Sequence, residues 1–593
     1  MILEKLQNCQ DKRDLASLLK YDLRNLSRVL FNDFNNNYSL FFIDKKDGGK
    51  REILAPKKEL KIIQKRLSKI LEECYIEISE KNNKINFNSI NGFITGKSII
   101  TNAKKHTNKK YVLNIDLKDF FPSITFNRIV GFFKKNKYFR LEHDVAILIA
   151  QIACYKGALP QGSPSSPIIS NLMMLSLDKE INILAKTNGL TYSRYADDIT
   201  LSTNKKIFPN EIASGNGIEW NIHKKLETLI NNYKFNINHK KIRMQYKTSR
   251  QEVTGIIVNK KVNVNRKYIR NVKAMLNKLI TNHSMEDYEY FNLSLRGKID
   301  FIYQVRKSYI ENDENDENDE NDKKKKKKKK KKQDLIIKIF NNFLYFNHFI
   351  NNDEITILTE GKTDKIYIDT AFSHFKNEYN YQINILKQSD MFTKITKLNG
   401  INNLVKFIQS YGKKDDIIYK LINKSNIYIP KNPVIIIIDS DEPAKSKALE
   451  LLDNKDGFIF KEPNLYCFQL PELKDKKFFS IEYYFPERIR NYENNGKKFG
   501  ENTENKYNNK ETIYKIIDGG NNLSKSYFSN YIKTLKYKKI SDKKNKTKED
   551  IDSIKRINEA NKKSFEEFKK IFNKIDEIIN DYKKRCNSKT SEQ

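Results

Sequence analysis

Two short β-prone runs, TYSRYA at 191–196 and ITLST at 199–203, flank a pair of adjacent aspartates, Asp197 and Asp198. Their pattern predicts a hairpin with the acidic pair at or beside its turn. Upstream, KYVLNIDLKDFFPSI from Lys110 predicts another strand, ending in Asp116. The period becomes helical in RKYIRNVKAMLNKLI from Arg266 and again in DLIIKIFNNFLYFNHF from Asp334. After the polar NNDE at 351–354, ITILTEGKTDKIYI reads as a buried strand, a glycine turn and a helix. PVIIIIDSD, from Pro433, is apolar until its end, as suits a central parallel strand covered on both faces. The final hundred residues are rich in Lys and Glu and predict a helical stretch near Lys548 to Tyr582.

Between the first two helices lie four END triplets, Glu311 to Asp322, and ten lysines, Lys323 to Lys332. These opposed charge blocks cannot enter a core, so 311–332 is expected to be a solvated, disordered insert in a loop of a helical subdomain. A length of 593 residues exceeds what one core organises, and 35 Phe with 32 Tyr supply apolar surface for several. Without the insert the net charge of +37 falls only to about +35, so basicity is spread through the folded parts and favours a polyanionic partner. AT-rich coding would raise the lysine content too, and charge alone therefore names no partner. The five cysteines are too scattered for a zinc pair or a disulfide framework, which fits a reducing cytosol. MILEKLQNCQDKRD lacks the apolar core of a signal peptide, and no stretch approaches the ~18 apolar residues of a membrane span. A soluble chain with no membrane partner is expected.

Asp116, Asp197 and Asp198, delivered at strand ends, could converge on one spot. Left unpaired they would repel and their pKa values would rise. Divalent cations remove that conflict, since Mg²⁺ is held by a few carboxylates, water and substrate phosphates. Two such ions about 4 Å apart can activate a 3′-hydroxyl and stabilise the leaving pyrophosphate, which is polymerase chemistry.

YADD at 195–198 resembles the Y-x-D-D motif of reverse transcriptases, and DLKDFF from Asp116 resembles the motif that carries their first catalytic aspartate. LPQGSPSSP, Leu159 to Pro167, is similar to the loop that contacts template and incoming nucleotide, with Gln161 and Gly162 at its heart. KKDGGKREILAPKKELKIIQ, from Lys45, looks like the fingers segment that holds the triphosphate; Arg51 is its strongest candidate, because a forked guanidinium suits phosphate. The resemblance further implies that Phe121 excludes a ribose 2′-hydroxyl and that Lys240 or Lys241 lies near the pyrophosphate. NAKKH, from Asn102 to His106, and VTG, from Val253 through Thr254 to Gly255, match motifs of retron reverse transcriptases in their expected order. These five positions are expected to bind RNA. Retron enzymes bind a structured noncoding RNA, prime from the 2′-hydroxyl of an internal guanosine and make a branched RNA–DNA molecule (msDNA). The resemblance covers about residues 10 to 310.

In the second half, Glu360 and Gly361 follow one predicted strand, and Asp439 and Asp441 follow another. Ligand sites of open α/β sheets lie beyond the carboxyl ends of strands, so a second carboxylate–metal site is inferred. The E-G and D-x-D pattern resembles the Toprim domain of topoisomerases, bacterial primases and overcoming-lysogenization-defect nucleases. Asp364 and Glu482 look like extra acidic positions of the nuclease branch, and the resemblance implies Mg²⁺ or Mn²⁺ there.

The expected fold is multidomain α/β and α+β. A right-hand reverse transcriptase, with fingers and palm over 1–260 and a helical thumb over 261–350, is followed by a Toprim domain over 353–490 and a Lys-rich, largely helical extension over 491–593. The expected function is RNA-directed synthesis of msDNA, coupled to a Toprim nuclease that acts against phage in the bacterial cytoplasm. Implied partners are the noncoding RNA and its msDNA, dNTPs, a DNA or RNA substrate of the nuclease and further copies of the chain in an oligomer. A non-toxic repair or recombination nuclease, and a Toprim module that only binds nucleic acid, remain alternatives.

Overall fold

The computed structural model describes the chain except for residues 33–36, 45–47, 82–86, 218, 283–284, 313–334, 387–395, 397, 399, 415, 441–456, 475–477, 495, 499, 506–511, 518–523, 538–547 and 592–593. The insert beyond residue 312, and Asp441, therefore lie outside the described residues. Two compact units emerge, one of residues 1–269 with 304–309, the other of 270–303 with 310–593.

In the first unit, β1 (Tyr38–Asp44) and β2 (Lys50–Pro56) pair antiparallel as a ribbon that exposes Leu40, Phe41, Phe42 and Ile43. Helix α1 (Lys58–Lys81) buries Leu60, Ile63, Leu67, Leu71, Cys74 and Ile78, a stripe at three- and four-residue spacing. Helix α2 (Ile99–Lys104) begins at a capping box between Ser98 and Thr101. Strand β3 (Tyr111–Lys118) follows, and then α3 (Ser166–Thr187) with Pro167 in its first turn. Strands β4 (Thr191–Tyr195) and β5 (Asp198–Thr203) form the expected hairpin, and β5 pairs antiparallel with β3. The far edge of β3 is covered by β6 (Asn236–Ile237) and β7 (Arg243–Tyr246). A small hairpin, β8 (Glu252–Val253) and β9 (Ile256–Ile257), lies beyond them in sequence. Ile115, Leu117, Ile199 and Leu201 on the sheet share one core with Ile63 and Leu67 of α1 and Leu172 of α3.

The helices expected for 261–350 are present as α4 (Arg266–Thr281), α5 (Tyr288–Asn312) and a segment at 335–350. In the second unit, β10 (Ile355–Thr359) leads to α6 (Asp364–Phe375), then β11 (Ile383–Ile385), β12 (Val434–Ile438), β13 (Ile459–Lys461) and β14 (Leu465–Gln469). The sheet order is β11-β10-β12-β14-β13, parallel except for the edge strand β13. Every residue of β10 and β12 is buried, which accounts for their unbroken apolar sequence.

The C-terminal region does not stand apart from this sheet. Phe528 of α7 (Lys525–Thr534) and Phe572, Ile575 and Ile578 of α8 (Lys569–Ser591) pack in one core with Ile357, Ile435 and Phe468. The apolar stripe of α8 completes the cover of the sheet. Among the described residues, no helix is long and apolar enough to cross a membrane.

Candidate active site

Strand β3 carries Asp116 directly opposite Asp198 of β5 in the antiparallel register. Tyr195 pairs with Asp198 across a two-residue loop of Ala196 and Asp197, in which Ala196 adopts φ 54°. A left-handed alanine stores roughly 1 kcal/mol of strain, so the turn needs support from its surroundings. Arg194 provides it. Its Nη1 donates to the Ala196 carbonyl at 3.0 Å and to Asn171 Oδ1 at 3.1 Å, while Nε and Nη2 form a fork onto Asp178, both at 2.7 Å. The two side chains are 0% and 1% exposed. Gly92 completes the seat: a Cβ there would lie 2.4 Å from the Ala196 nitrogen, so only glycine allows this approach.

The electrostatics follow from this crowding. Burial first, then Asp197 and Asp116, push the Asp198 carboxyl up to about 7. Burial and Asp116 also raise Asp197, and Lys241 and Arg51 oppose the shift. Lys241 Nζ lies 3.2 Å from Asp116, to which Asn238 Nδ2 also donates at 3.1 Å. Among the described residues no three acidic, imidazole or thiolate groups close around one point. Asp116 and Asp197 could still share a Mg²⁺ with substrate oxygens, since that ion is commonly held by one or two carboxylates plus phosphates. Their hard oxygen donors and their unrelieved repulsion fit such an ion.

A cavity of about 450 Å³ opens beside Asp116 and Asp198 and is lined also by Lys240, Lys241, Thr254 and Gly255. The structure therefore brings both candidate lysines to the carboxylates, with Lys241 making the direct contact. From the ribbon, Arg51 comes near enough to Asp197 to favour its charged form. The Gln161 carbonyl accepts from the Leu54 amide at 2.7 Å, which seats the 159–167 loop on β2. Gly162, at φ 120°, would drive a Cβ to 2.6 Å from the Leu54 oxygen. Phe121 is half-buried, with its ring against Phe120.

The expected RNA-binding positions divide. Asn102, His106 and Val253 are each 0% exposed and present no surface to an RNA, which corrects the role read for them. His106 instead bridges the hairpin: Nδ1 lies 2.7 Å from Ser202 Oγ on β5 and Nε2 2.7 Å from Ser193 Oγ on β4. Burial, aided by Lys105 and Lys109, lowers its pKa to about 3 and keeps the ring neutral. Ser193 Oγ donates onward to Asn102 Oδ1 at 2.6 Å. Thr254 and Gly255, both at positive φ, form the two-residue turn between β8 and β9 at the cavity rim.

A second acidic cluster lies in the other unit. Glu360 and Asp439 follow directly on β10 and β12, parallel neighbours in the sheet. Asp364 is buried and folds back to accept from the Gly361 amide at 2.7 Å. A Cβ on Gly361 would meet the Asp364 oxygens at 2.8 and 2.9 Å, so the glycine in the turn between β10 and α6 also answers a close approach. Burial, Glu482 and Glu360 all raise the Asp364 pKa. Glu482 is 0% exposed and faces Lys525 Nζ at 3.0 Å. Among the described residues, the Glu482 oxygens have no hydrogen-bond partner beyond this ion pair. Lys525, raised to about 12 by Glu482, Asp439 and Asp364 against the cost of burial, is the residue that sequence reading missed. It lies in no motif and reaches the cluster only through the packing of α7.

The family profile for reverse transcriptase (RNA-dependent DNA polymerase) matches residues 43–258. The chain is 34% identical over 246 residues to the retron Mx162 reverse transcriptase of Myxococcus xanthus, covering 38% of this chain and 48% of that one. It is 31% identical to the retron Ec86 reverse transcriptase of Escherichia coli, covering 50% of this chain and 90% of that enzyme. It thus spans about half of the first relative and nearly all of the second. Among solved structures, a telomerase from Candida albicans in complex with a fragment of telomeric RNA aligns at 9% identity, 65% of each chain and a TM-score of 0.30, which bears no argument.

Two outcomes test the palm. Removing the ring in His106→Ala takes the imidazole partner from Ser202 and leaves Ser193 only its bond to Asn102, beside a void, and should cost about 2–4 kcal/mol, read as a lower urea midpoint; His106→Gln, able to keep one bond, should lose less. Between pH 4 and 7 the folded Asp198 keeps a proton that the unfolded chain has released. Stability in a chelator should therefore fall as pH rises through that window, and Asp198→Asn should flatten the slope in thermal melts.

Proposed function

The chain belongs to the retron reverse transcriptase family, and on that footing we propose that its first unit copies part of a structured noncoding RNA into branched msDNA. Asp116 opposite Asp198, with Asp197 in the adjoining turn and Lys241 and Arg51 nearby, carries the reading. Asp116 and Asp197 would hold Mg²⁺, which supplies Lewis-acid activation of the priming hydroxyl and charge relief for the leaving pyrophosphate. The priming oxygen attacks the α-phosphorus of a dNTP, its proton leaves to solvent or a phosphate, and the bond to the β-phosphate oxygen breaks. Arg51 and Lys241 neutralise the triphosphate, Phe121 screens the sugar, and the seated 159–167 loop positions template and base. The noncoding RNA is met by the strongly basic surface, including Lys240 and the Thr254–Gly255 turn.

We further propose that the second unit is a Toprim nuclease that acts in anti-phage defence. Glu360, Asp364, Asp439 and Glu482 gathered at the carboxyl ends of parallel strands support it, as does Lys525 set among them. Those carboxylates suit Mg²⁺ or Mn²⁺, and Lys525 would balance charge on a phosphodiester as it is cleaved. The substrate is a nucleic acid, restrained from cleavage until phage infection disturbs the msDNA complex. The bacterial cytoplasm is the setting this implies.

Sequencing the nucleic acid that copurifies with the chain, expressed beside its native flanking sequence, tests the first unit. A short DNA branched from a structured RNA is expected, and Asp197→Asn should lose the DNA but keep the RNA. Normal primer extension by that variant would refute the site. For the second unit, induced expression without the noncoding RNA should halt growth, and Glu360→Gln or Lys525→Met should restore it. Unchanged toxicity in both variants would favour a module that only binds nucleic acid.

A further inference from the structure

We infer that Phe93 is a specificity-determining residue of the polymerase site, the middle ring of a three-ring wall that fixes Phe121 against the sugar of the incoming nucleotide. The inference rests on the polymerase reading above and extends it to a residue outside the motifs used there.

Phe93 is 44% exposed and adopts φ 58°, a conformation rare for a bulky side chain. Exposure and strain together call for a reason, and strained residues cluster where function fixes them. Its ring lies 6.2 Å from that of Phe121 and 6.3 Å from that of Tyr195, tilted by 45° and 40°. Those partners flank the carboxylates: Phe121 follows Asp116 in sequence, and Tyr195 precedes the Ala196–Asp197 turn.

The backbone under Phe93 is held from several sides. The Asn91 amide donates to the Arg194 carbonyl at 2.9 Å, and Asn171 Nδ2 donates to the Gly92 carbonyl at 2.9 Å. Gly92 touches the Tyr195–Ala196 backbone so closely that no side chain fits. Lys97 Nζ donates to the carbonyls of Phe87 and Ile90 at 2.6 and 3.0 Å. The loop fixes the point from which the Phe93 ring projects, and the ring fills space beside Phe121 into which that side chain would otherwise retreat from a 2′-hydroxyl. Tilted rings at these separations attract one another, which adds to the stiffness.

The test is single-nucleotide extension of a primed RNA template by the full chain, comparing dNTP with rNTP for the wild type, Phe93→Ala, Phe93→Leu, Phe121→Ala and the double alanine variant. Phe93→Ala should keep dNTP extension and raise the relative efficiency of rNTP use by about tenfold, the scale on which one apolar contact discriminates. Phe93→Leu, which retains bulk but not the flat ring, should shift in the same direction by less, and it serves should the alanine variant fail to fold. The double variant should match Phe121→Ala, because the two rings act as one wall. Unchanged discrimination in both Phe93 variants while Phe121→Ala relaxes it would overturn the inference. So would loss of dNTP extension in folded Phe93 variants. A wild type that extends with neither nucleotide would sink the polymerase reading itself, and this inference with it.

Discussion

The palm rests on one buried ion pair. Arg194 and Asp178 are removed from water, at a desolvation cost of several kcal/mol per ion, and only a well-aligned fork with further partners offsets it. Four donors of the guanidinium are used, two on Asp178, one on Asn171 and one on the Ala196 carbonyl. Tyr192 donates its hydroxyl to the same Asp178 oxygen that Nε reaches. The pair thus joins α3 to the strand before the Ala196–Asp197 turn and steadies a left-handed alanine inside it. Such a pair adds little net stability over apolar residues, and its value lies in a single permitted geometry for the turn that carries Asp197.

The two acidic clusters are built differently on their sheets. Asp116 and Asp198 face each other on paired antiparallel strands with Asp197 in the adjoining turn, whereas Glu360 and Asp439 follow directly on the parallel strands β10 and β12. One lysine stands against each cluster, Lys241 at Asp116 and Lys525 at Glu482. Burial first, and then the neighbouring carboxylates, raise the pKa values of Asp198 and Asp364 despite these lysines. Negative charge concentrated in this way favours cations and phosphates with their metals over neutral ligands.

Much of this arrangement could be read in the sequence. Asp116, Asp197 and Asp198 follow from the period-two pattern, since a strand end or tight turn leaves few places for the next side chain. The parallel order around Val434–Ile438 follows from its lack of polar positions. What escaped depended on partners distant in sequence. Arg194 looks like any polar residue of an alternating strand until α3 places Asp178 beside it. Asn102 and His106 look like polar ligands because a short motif does not reveal burial; only the strands behind them do. Lys525 stands 43 residues after Glu482, with no local signal of its target. In α8 the stripe of Ile571, Ile575, Ile578 and Tyr582 is diluted by lysines, so composition hid a core helix.

The two retron motifs acquire a joint physical meaning from these contacts. Helix α2 sets Asn102 and His106 behind β4 and β5, and the Ile99 carbonyl accepts from the Thr254 hydroxyl at 3.4 Å. Val253 is buried at the base of the β8–β9 hairpin, while Gly255 projects at the cavity rim. One motif therefore fixes the hairpin that carries the carboxylates, and the other, seated on the same helix, forms part of the wall that a nucleic acid would meet. The cavity rim and the acidic centre share one short scaffold.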